Sequence, residues 1–231
     1  MASYQRALIV GAGSGLSAAI ARQLSLEGLE VALAARDGDK LADLCDATGA
    51  TAFSCDAAEP DQVDALFAEV ERKLGAPDVV VYNPSRRIAG GIADLDPAEV
   101  AQALAVTAYG GFLVARQAAR RMAKLGRGAI LFTGASASVK GYPRSAAFAM
   151  GKFALRGLAQ SLARELQPQN IHVAHIVIDG AIRSGTRSAP PDRPDSLLDP
   201  DAIAQAYLNL LRQDRSAWTF ELELRPWLET F

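Results

Sequence analysis

Phe148 and Lys152 lie four residues apart in the stretch SAAFAMGKFAL, residues 145–155, whose pattern predicts a helix. A spacing of four puts both side chains on one face of that helix. A phenylalanine is natural on an inward face, whereas a lysine is costly to bury there. The stretch is therefore either a core helix that happens to carry a lysine or a catalytic helix that has lost one of its residues.

A glycine-rich segment, IVGAGSGLSAAI, follows the first apolar run and opens a helical pattern. Glycines permit a tight turn and the close approach of a pyrophosphate, whose charge the N-terminus of a helix stabilises. The Gly-x-Gly-x-x-Gly template fails, but Gly-x-x-x-Gly-x-Gly fits if Ser17 replaces its third glycine. A glycine loop without a ligand is the alternative. The residues expected to form this dinucleotide site are Gly11, Gly13, Ser14, Gly15 and Leu16.

The end of the second apolar run, VALAARD, indicates which dinucleotide would bind. An acidic residue here usually holds the adenosine ribose hydroxyls, whereas an arginine accommodates a 2′-phosphate. The chain has Ala35 followed by Arg36, and a guanidinium pairs well with phosphate. We therefore expect NADP, with NADPH favoured over NADH; a solvated surface arginine is the alternative. Asp37 suits a helix N-cap and need not contact ribose.

These residues have to be positioned by a regular alternation of short β-rich runs and longer helical periods. The predicted strands are near-continuous apolar runs at residues 6–10, 30–35, 51–55, 77–83, 128–134 and 171–178, with a final strand near 217–224. Continuous apolar strands are typical of a sheet covered on both faces. The sequence therefore predicts an α/β fold, a doubly wound parallel sheet (Rossmann fold) of about seven strands with helices on both faces.

The composition fits one domain over residues 1–231, with 50% hydrophobic residues. A net charge of −2 gives no field that favours nucleic acid or membrane phosphate. The N-terminus lacks a signal-peptide pattern, and no uninterrupted apolar stretch reaches the ~20 residues that span a bilayer. Cys45 and Cys55 have neither metal-ligand spacing nor disulfide-scaffold density. We expect a cytoplasmic protein with reduced thiols, no metal site, and no nucleic-acid or membrane partner.

The segment RSGTRSAPPDRPDSLLDP, residues 183–200, differs in composition from the rest of the chain. It follows the C-terminal end of a predicted strand, where ligands bind in sheets of this kind. We interpret it as a substrate loop, with a linker as the alternative. Arg183, Arg187 and Arg193 within it hint at an anionic ligand, although solvated surface arginines explain them as well.

In the order and spacing of these motifs the chain resembles the short-chain dehydrogenase/reductase family along nearly its whole length. Asp56 in SCDAAEP follows the third strand, where the family contacts adenine, and Asn83 in YNPS matches one residue of an Asn-Asn-Ala-Gly segment. DGAI resembles the turn past the sixth strand, with Ile182 facing the nicotinamide carboxamide. The resemblance adds to the cofactor site Asp56, Ala57, Asn83, Lys152, Gly180 and Ile182.

The resemblance also implies four catalytic positions, and the chain departs from most of them. Thr107 takes the place of Asn, Ala135 that of Ser, and Phe148 that of Tyr. Lys152 is retained; in the family this ammonium hydrogen-bonds the nicotinamide ribose and lowers the pKa of the tyrosine. Phenylalanine keeps the packing of the ring but has no ionisable proton. Losing a general acid costs ~10²–10⁴ in rate.

Other groups are therefore considered as proton donors. Tyr142 lies in the loop that leads into the same helix, and Asp179 stands beside the expected nicotinamide position, where it is either a turn residue or an acid–base group. Ser136 would reach the substrate only from a remodelled loop. His172 and His175 fall within a buried strand and are interpreted as packed rather than catalytic. The candidate catalytic residues are Lys152, Tyr142, Asp179 and Ser136.

Two functions remain open from the sequence. The first is an NADP(H)-dependent oxidoreductase that transfers a hydride between nicotinamide and a small alcohol or carbonyl substrate. The second is a non-redox or catalytically inactive protein of the same fold that binds a nucleotide or another ligand. The resemblance further implies a homodimer or homotetramer.

Overall fold

The computed structural model describes residues 4–229, and one sheet runs through this part of the chain. Its spatial order is β3-β2-β1-β4-β5-β6-β7, and all neighbouring strands are parallel. This confirms the predicted doubly wound Rossmann fold. The strands are β1 Arg6–Val10, β2 Glu30–Ala35, β3 Thr51–Ser54, β4 Val79–Tyr82, β5 Gly128–Thr133, β6 Ile171–Ile178 and β7 Glu221–Leu224. The α-helices are α1 Leu16–Leu26, α2 Ala42–Thr48, α3 Pro60–Leu74, α4 Pro97–Leu104, α5 Gly110–Leu125, α6 Ala146–Leu166 and α7 Pro200–Leu211.

Each central strand sends alternate side chains into two separate cores. Along β1, Ile9 packs in one core with Leu24 of α1 and Tyr207 of α7. Leu8 packs in the other core with Phe67 of α3 and Leu155 of α6. Because both faces of the sheet are covered, the strands are apolar at every position rather than at every second one.

The helix α6 has a buried face that recurs every four residues. Ala147, Gly151, Leu155 and Ala159 are buried along it, and Lys152 is buried beside them. Small residues on this face let the helix lie close to its neighbours; a side chain at Gly151 would come within 3.0 Å of Thr107. The packing therefore turns the only charged residue of this face into the protein rather than into solvent.

The long helical segment predicted before β5 is interrupted by a π-helical turn, Ala105–Tyr109, between α4 and α5. The whole segment Pro97–Leu125 is long and apolar enough to cross a membrane by length and composition alone. Its buried residues, among them Val114, Ala118 and Met122, belong to the core beneath the sheet. We therefore interpret it as a core helix.

The final strand is shorter than predicted. Residues 215–217 form a 3₁₀ turn, and β7 begins at Glu221. The turn is capped by Asp214, whose carboxylate accepts a hydrogen bond from the Ser216 backbone N–H at 2.9 Å. This local capping competes with strand formation, which the apolar pattern alone does not register.

The order of the strands reverses between β1 and β4, because β2 lies on one side of β1 and β4 on the other. In open parallel sheets ligands bind in the crevice outside the carboxyl ends of the strands at such a point. The glycine-rich turn after β1 and Asn83 after β4 both lie at this edge.

Candidate nucleotide-binding and active site

The turn after β1 requires glycine at its first position. Gly11 has a φ of +81°, and a side chain there would come within 2.6 Å of the Pro84 nitrogen. Its N–H and that of Ala12 both donate to the carbonyl oxygen of Ala34 at 2.9 Å. The turn is thus fixed against β2 and the end of β4, as a close backbone approach demands.

The other glycines of the turn, Gly13 and Gly15, have open space beside their backbone. A side chain at Gly13 or Gly15 would meet nothing within 4 Å. The helix α1 starts at Leu16 with no side-chain cap hydrogen bond and no acidic residue in its first turn. Its first N–H groups are therefore available to an anion, and the positive end of the helix favours one. This geometry fits a pyrophosphate.

Ser17, the residue in place of the third glycine, braces the turn. Its side chain is buried, and its Oγ donates to the Gly11 carbonyl oxygen at 2.9 Å. The Asn83 Nδ2 in turn donates to the Ser17 Oγ at 2.8 Å. A hydrogen-bonded chain thus joins the glycine turn to the end of β4. In the structure Ser17 and Asn83 shape the turn together.

A cavity of about 730 Å³ opens at this edge of the sheet. Its lining includes seven of the predicted cofactor residues: Gly11, Gly13, Ser14, Arg36, Asp56, Ala57 and Asn83. Five other predicted residues do not line it: Gly15, Leu16, Lys152, Gly180 and Ile182. The cavity therefore joins the glycine turn to the end of β2 without extending to the ends of β5 and β6.

The cavity also has lining residues that the sequence did not single out, including Lys40, Cys55, Pro84 and Ser85. Pro84 lines it because the segment after β4 folds back over Gly11. Cys55 is buried, and burial raises the pKa of its thiol to about 11. Pro84 and Ser85 lie in the YNPS stretch, of which only Asn83 matched a motif, and the fold brings Lys40 and Cys55 to the same edge from other loops.

Arg36 directly follows the end of β2. Arg36 is exposed and lines the cavity, and within residues 4–229 it forms no ion pair. Asp37 is held by Lys40, whose Nζ lies 3.0 Å from its carboxylate. That hydrogen bond is the largest influence that lowers the pKa of Asp37, and backbone N–H groups of Asp39 and Lys40 add to it. With Asp37 neutralised in this way, Arg36 is left as a cation free to bind phosphate.

Lys152 is buried at the carboxyl end of β5. Its residue exposure is 2%, and its Nζ donates to the Thr133 carbonyl oxygen at 2.7 Å. Burial lowers the pKa of Lys152 to about 8. The same Nζ lies 6.0 Å from the centroid of the half-buried Phe148 ring. The two residues that the spacing placed on one helix face are therefore neighbours in space.

Thr107 lies in the π-helical turn opposite α6, at the position where the resemblance implies Asn. It is buried, and its Oγ1 accepts a hydrogen bond from the Arg86 backbone N–H at 3.2 Å. The hydroxyl thereby holds the segment after β4 against the helix. π-Helical turns are frequent at functional sites.

The other candidate catalytic residues gather around Lys140. Asp179 follows β6 and is buried, and Lys140 Nζ lies 3.0 Å from its carboxylate. Arg225 forms a second ion pair with the same carboxylate. Ser136 hydrogen-bonds to Asp179, and Tyr142 contributes to the electrostatic environment of Lys140. The structure thus brings Ser136, Tyr142 and Asp179 into one cluster around Lys140.

The charges in this cluster favour the carboxylate form of Asp179. Burial by itself would raise the pKa of Asp179, but the hydrogen bonds from Ser136 and Lys140 and the nearby cations lower it overall. The hydrogen bond to Asp179 also raises the pKa of Lys140. Neither member of this pair is thus a ready proton donor near neutral pH. Lys140 was missed by the sequence because its partner lies 39 residues away on another element.

Tyr142 differs from Asp179 in being accessible. Its side chain is among the exposed large hydrophobic groups, at 48% exposure. It lies in the loop between β5 and α6, and its carbonyl oxygen accepts from the Ser145 N–H at 3.2 Å. The Tyr142 phenol is therefore open to solvent beyond the carboxyl end of β5.

The two histidines of β6 are buried, as predicted, but each is only partly hydrogen-bonded. His172 Nε2 contacts the Thr219 carbonyl oxygen at 2.9 Å, and His175 Nδ1 contacts Glu221 at 3.0 Å. Their other ring nitrogens have no partner within the described residues. Burial lowers the pKa of both rings. They are neutral packing residues near neutral pH.

The segment 183–200 is a loop closed at its base. The Arg183 N–H donates to the Leu198 carbonyl oxygen at 2.8 Å, and the Leu198 N–H donates to Ala181 at 2.9 Å. Arg183 forms an ion pair with Asp199, so its charge is compensated. Arg187 and Arg193 are exposed. Of the three arginines that hinted at an anionic ligand, Arg183 thus has a structural role instead.

A family model described as short chain dehydrogenase matches residues 5–191 of the chain. The chain belongs to the short-chain dehydrogenase family. Relatives of the chain are named reductases, oxidoreductases and dehydrogenases, and the assignment agrees with the glycine turn, the reversal of strand order and the buried lysine described above. The predicted membership of this family is confirmed, and the chain is a short-chain oxidoreductase.

Individual relatives support the same assignment. The versicolorin reductase of Emericella nidulans is 33% identical over 184 residues, which are 77% of this chain and 69% of that protein. A short-chain dehydrogenase of Rhodopseudomonas palustris has a similar solved structure, with a TM-score of 0.83, 37% identity, and coverage of 96% of this chain and 99% of that one. The alcohol dehydrogenase of the archaeon Thermococcus sibiricus, solved with 5-hydroxy-NADP, has a TM-score of 0.86 and 25% identity, with 99% of each chain covered.

Proposed function

We propose that this short-chain dehydrogenase is an NADP(H)-dependent oxidoreductase that acts on an alcohol or carbonyl substrate. The observation that carries the proposal is the cavity at the reversal of strand order, with a glycine turn at one end and Arg36 at the other. This arrangement suits a pyrophosphate beside α1 and a 2′-phosphate beside Arg36. The Thermococcus sibiricus relative, whose structure holds an NADP derivative, supports the same cofactor class.

Different residues of the chain would bind the phosphates, the adenine and the nicotinamide side of the cofactor. The α1 N-terminus and Arg36 bind the phosphates, and Asp56 and Ala57 lie in the cavity where the adenine would be held. Lys152 would bind the sugar hydroxyls on the nicotinamide side, with Gly180 and Ile182 beside the ring. The nicotinamide, when bound, supplies or accepts the hydride. Phe148 supplies a packing surface there and no proton.

The proton that accompanies the hydride would come from Tyr142 or from water. Tyr142 carries an ionisable hydroxyl and is exposed at the correct edge of the sheet. Asp179 is held as a carboxylate by Lys140 and Arg225, which favours a structural role beside the site. Ser136 hydrogen-bonds to that carboxylate. We therefore assign the acid–base role to Tyr142 and a positioning role to Ser136, Lys140 and Asp179.

The substrate loop over residues 183–200 would form one wall of the substrate pocket. Its two ends are hydrogen-bonded to each other through Ala181, Arg183 and Leu198, while most of its middle is exposed. A loop with fixed ends and an open middle can close over a bound molecule without disturbing the sheet. The substrate is a small molecule of the alcohol or carbonyl class.

We also propose that the protein is a homodimer or homotetramer in the cytoplasm. Tyr109, Phe112, Met150 and Phe153 leave aromatic and thioether surface exposed on the π-helical turn, α5 and α6. The Tyr109 and Phe112 rings stack at 6.0 Å, which presents a flat apolar surface. Free thiols at Cys45 and Cys55 fit a reducing compartment. Sedimentation velocity of the full chain tests the assembly.

The decisive experiment is a titration of the purified protein with NADPH and with NADH by calorimetry, followed by a panel of carbonyl substrates with NADPH oxidation as the readout. We expect tighter binding of NADPH and slow reduction of at least one carbonyl. Absence of binding to either dinucleotide would reject the proposal. Tight binding with no turnover on any carbonyl would instead support the alternative of a nucleotide-binding protein without redox activity.

A further inference from the structure

The guanidinium of Arg87 lies 5.6 Å from the centroid of the Phe148 ring. Arg87 is exposed and comes from the segment between β4 and α4, whereas Phe148 belongs to the first turn of α6. Within residues 4–229 no carboxylate forms an ion pair with Arg87. A cation over an aromatic face is held in place by the ring, yet its N–H donors remain free for a ligand.

The neighbouring arginine has a different environment. Arg86 is paired with Glu99 and Gln102 through its guanidinium. Its backbone N–H also donates to Thr107. These contacts fix the backbone at the point where Arg87 begins. The charge of Arg86 is thus neutralised and its contacts fix the backbone, whereas Arg87 extends over the candidate active site.

A second uncompensated arginine lies at the start of α6. Arg144 is exposed, and the structure shows no ion pair for it in the described part of the chain. Its carbonyl oxygen accepts a hydrogen bond from the Gly90 N–H at 3.1 Å, which joins its loop to the segment that carries Arg87. Arg144 has a φ of +61°, in the left-handed region that non-glycine residues adopt at a cost. Such conformations concentrate at ligand-binding loops.

We propose that Arg87 and Arg144 bind an oxyanion group of the substrate, a carboxylate or a phosphate, at the entrance beside Phe148. The proposal deepens the proposed function, on which it rests, by naming a substrate class. Two guanidinium groups on hydrogen-bonded segments can bind such a group through paired N–H donors. An exposed guanidinium that serves only solubility needs neither the ring contact nor the anchoring of its neighbour. The anionic site therefore lies beside α6 and not at Arg183, whose charge Asp199 compensates.

The test measures binding of benzoate, phenyl phosphate and the neutral benzamide by calorimetry, with and without saturating NADPH. We expect at least one anion to bind the wild-type protein about ten times more tightly than benzamide. Arg87→Met and Arg144→Met should each reduce that preference by about tenfold, whereas Arg120→Met, an exposed arginine on α5, should leave it unchanged. A preference for phenyl phosphate over benzoate identifies a phosphate substrate, and the reverse identifies a carboxylate.

Equal affinity for benzoate, phenyl phosphate and benzamide would overturn the inference. So would a preference that survives Arg87→Met, or one that disappears in Arg36→Met, because the anion would then occupy the cofactor cavity. The binding readout does not depend on turnover. Loss of anion preference in Arg87→Met therefore supports the inference even if no carbonyl is reduced, and reduction of neutral carbonyls alone would reject it while the proposed function stands.

Discussion

Lys152 donates from its Nζ to the carbonyl oxygen of Thr133 at 2.7 Å, in a position that is 2% exposed. Burial is the cause that lowers the pKa of this lysine to about 8, and within residues 4–229 no carboxylate pairs with it. A buried cation compensated by a single carbonyl oxygen is costly for the folded state. An apolar residue at this position would therefore make the folded protein more stable than Lys152 does. Such a cost in stability is typical of a functional site.

Replacing Lys152 by Met should raise the stability of the protein at pH 7. The folded-state pKa of about 8 lies below the unfolded value of 10.5, so between these pH values the unfolded chain binds more protons. The free energy of unfolding of the wild type consequently rises with pH across this window. We expect Lys152→Met to be more stable by about 1–3 kcal/mol at pH 7 and the difference to shrink by pH 10, given ~1.4 kcal/mol for each pKa unit.

Urea denaturation at the two pH values measures this difference. Lys124→Met, at an exposed lysine near the end of α5, is the matched control and should change stability little. A Lys152→Met variant that is less stable than wild type at pH 7 would show that the hydrogen bond to Thr133 outweighs the cost of burial.

Arg36→Met should change the choice of cofactor. Because Arg36 carries the uncompensated charge at the end of β2, its loss should weaken NADPH binding by about tenfold to a hundredfold, as expected for a hydrogen bond between charged groups. NADH binding should change by less than about threefold, since that cofactor has no 2′-phosphate. Fluorescence titration with both cofactors measures the two constants, and a parallel loss for both would place Arg36 outside the 2′-phosphate site.

Phe148→Tyr should increase the rate of carbonyl reduction. The new hydroxyl would stand on the ring that Lys152 already approaches at 6.0 Å. General acid–base catalysis contributes ~10²–10⁴ in rate, so a gain of about tenfold or more is expected even from imperfect geometry. Phe153→Tyr, an exposed phenylalanine on the same helix, is the matched control and should give no gain. An unchanged kcat in Phe148→Tyr would mean that substrate and cofactor are not placed at this ring.

Tyr142→Phe should lower kcat while leaving NADPH affinity unchanged. The tyrosine lies outside the residues that line the cofactor cavity, and its hydroxyl is the accessible donor in the Lys140 cluster. We expect a loss of about tenfold to a hundredfold in kcat, with the remaining rate supplied by water as the donor. A Tyr142→Phe variant with the kcat of the wild type would show that water alone donates the proton. In the double variant with Phe148→Tyr the effect of Tyr142→Phe should largely disappear.

Part of the site is readable from short stretches of sequence. The glycine turn, Arg36 and the pair formed by Phe148 and Lys152 each lie within one strand end or one helix, and their spacing fixes their relative positions. The structure brings the predicted Gly11, Arg36, Asp56 and Asn83 to one cavity because all four follow carboxyl ends of parallel strands. Local spacing also predicted that Phe148 and Lys152 share one helix face, and the family resemblance implied a reason for Lys152 to face inward.

Other features depend on contacts between distant segments. From the sequence, the role of Asp179 was either that of a turn residue or that of an acid–base group. The ion pairs with Lys140 and Arg225 favour its carboxylate form. The role of Arg183 in binding an anion was equally open, and Asp199 compensates its charge. Neither partner can be inferred from spacing, since Lys140 and Arg225 reach Asp179 from separate segments and Asp199 reaches Arg183 from the far end of a loop.

Short stretches of the amino-acid sequence predict the alternation of strands and helices, the family, and the nucleotide end of the site. These depend on apolar periodicity and on glycine positions, which act over a few residues. The three-dimensional contacts were needed to show that Phe148 lies under the guanidinium of Arg87, that Lys152 donates to the Thr133 carbonyl oxygen, and that Asp179 is paired with two cations. Those relationships arise where separate loops meet at the carboxyl edge of the sheet, and long-range packing rather than local pattern sets the distances between them.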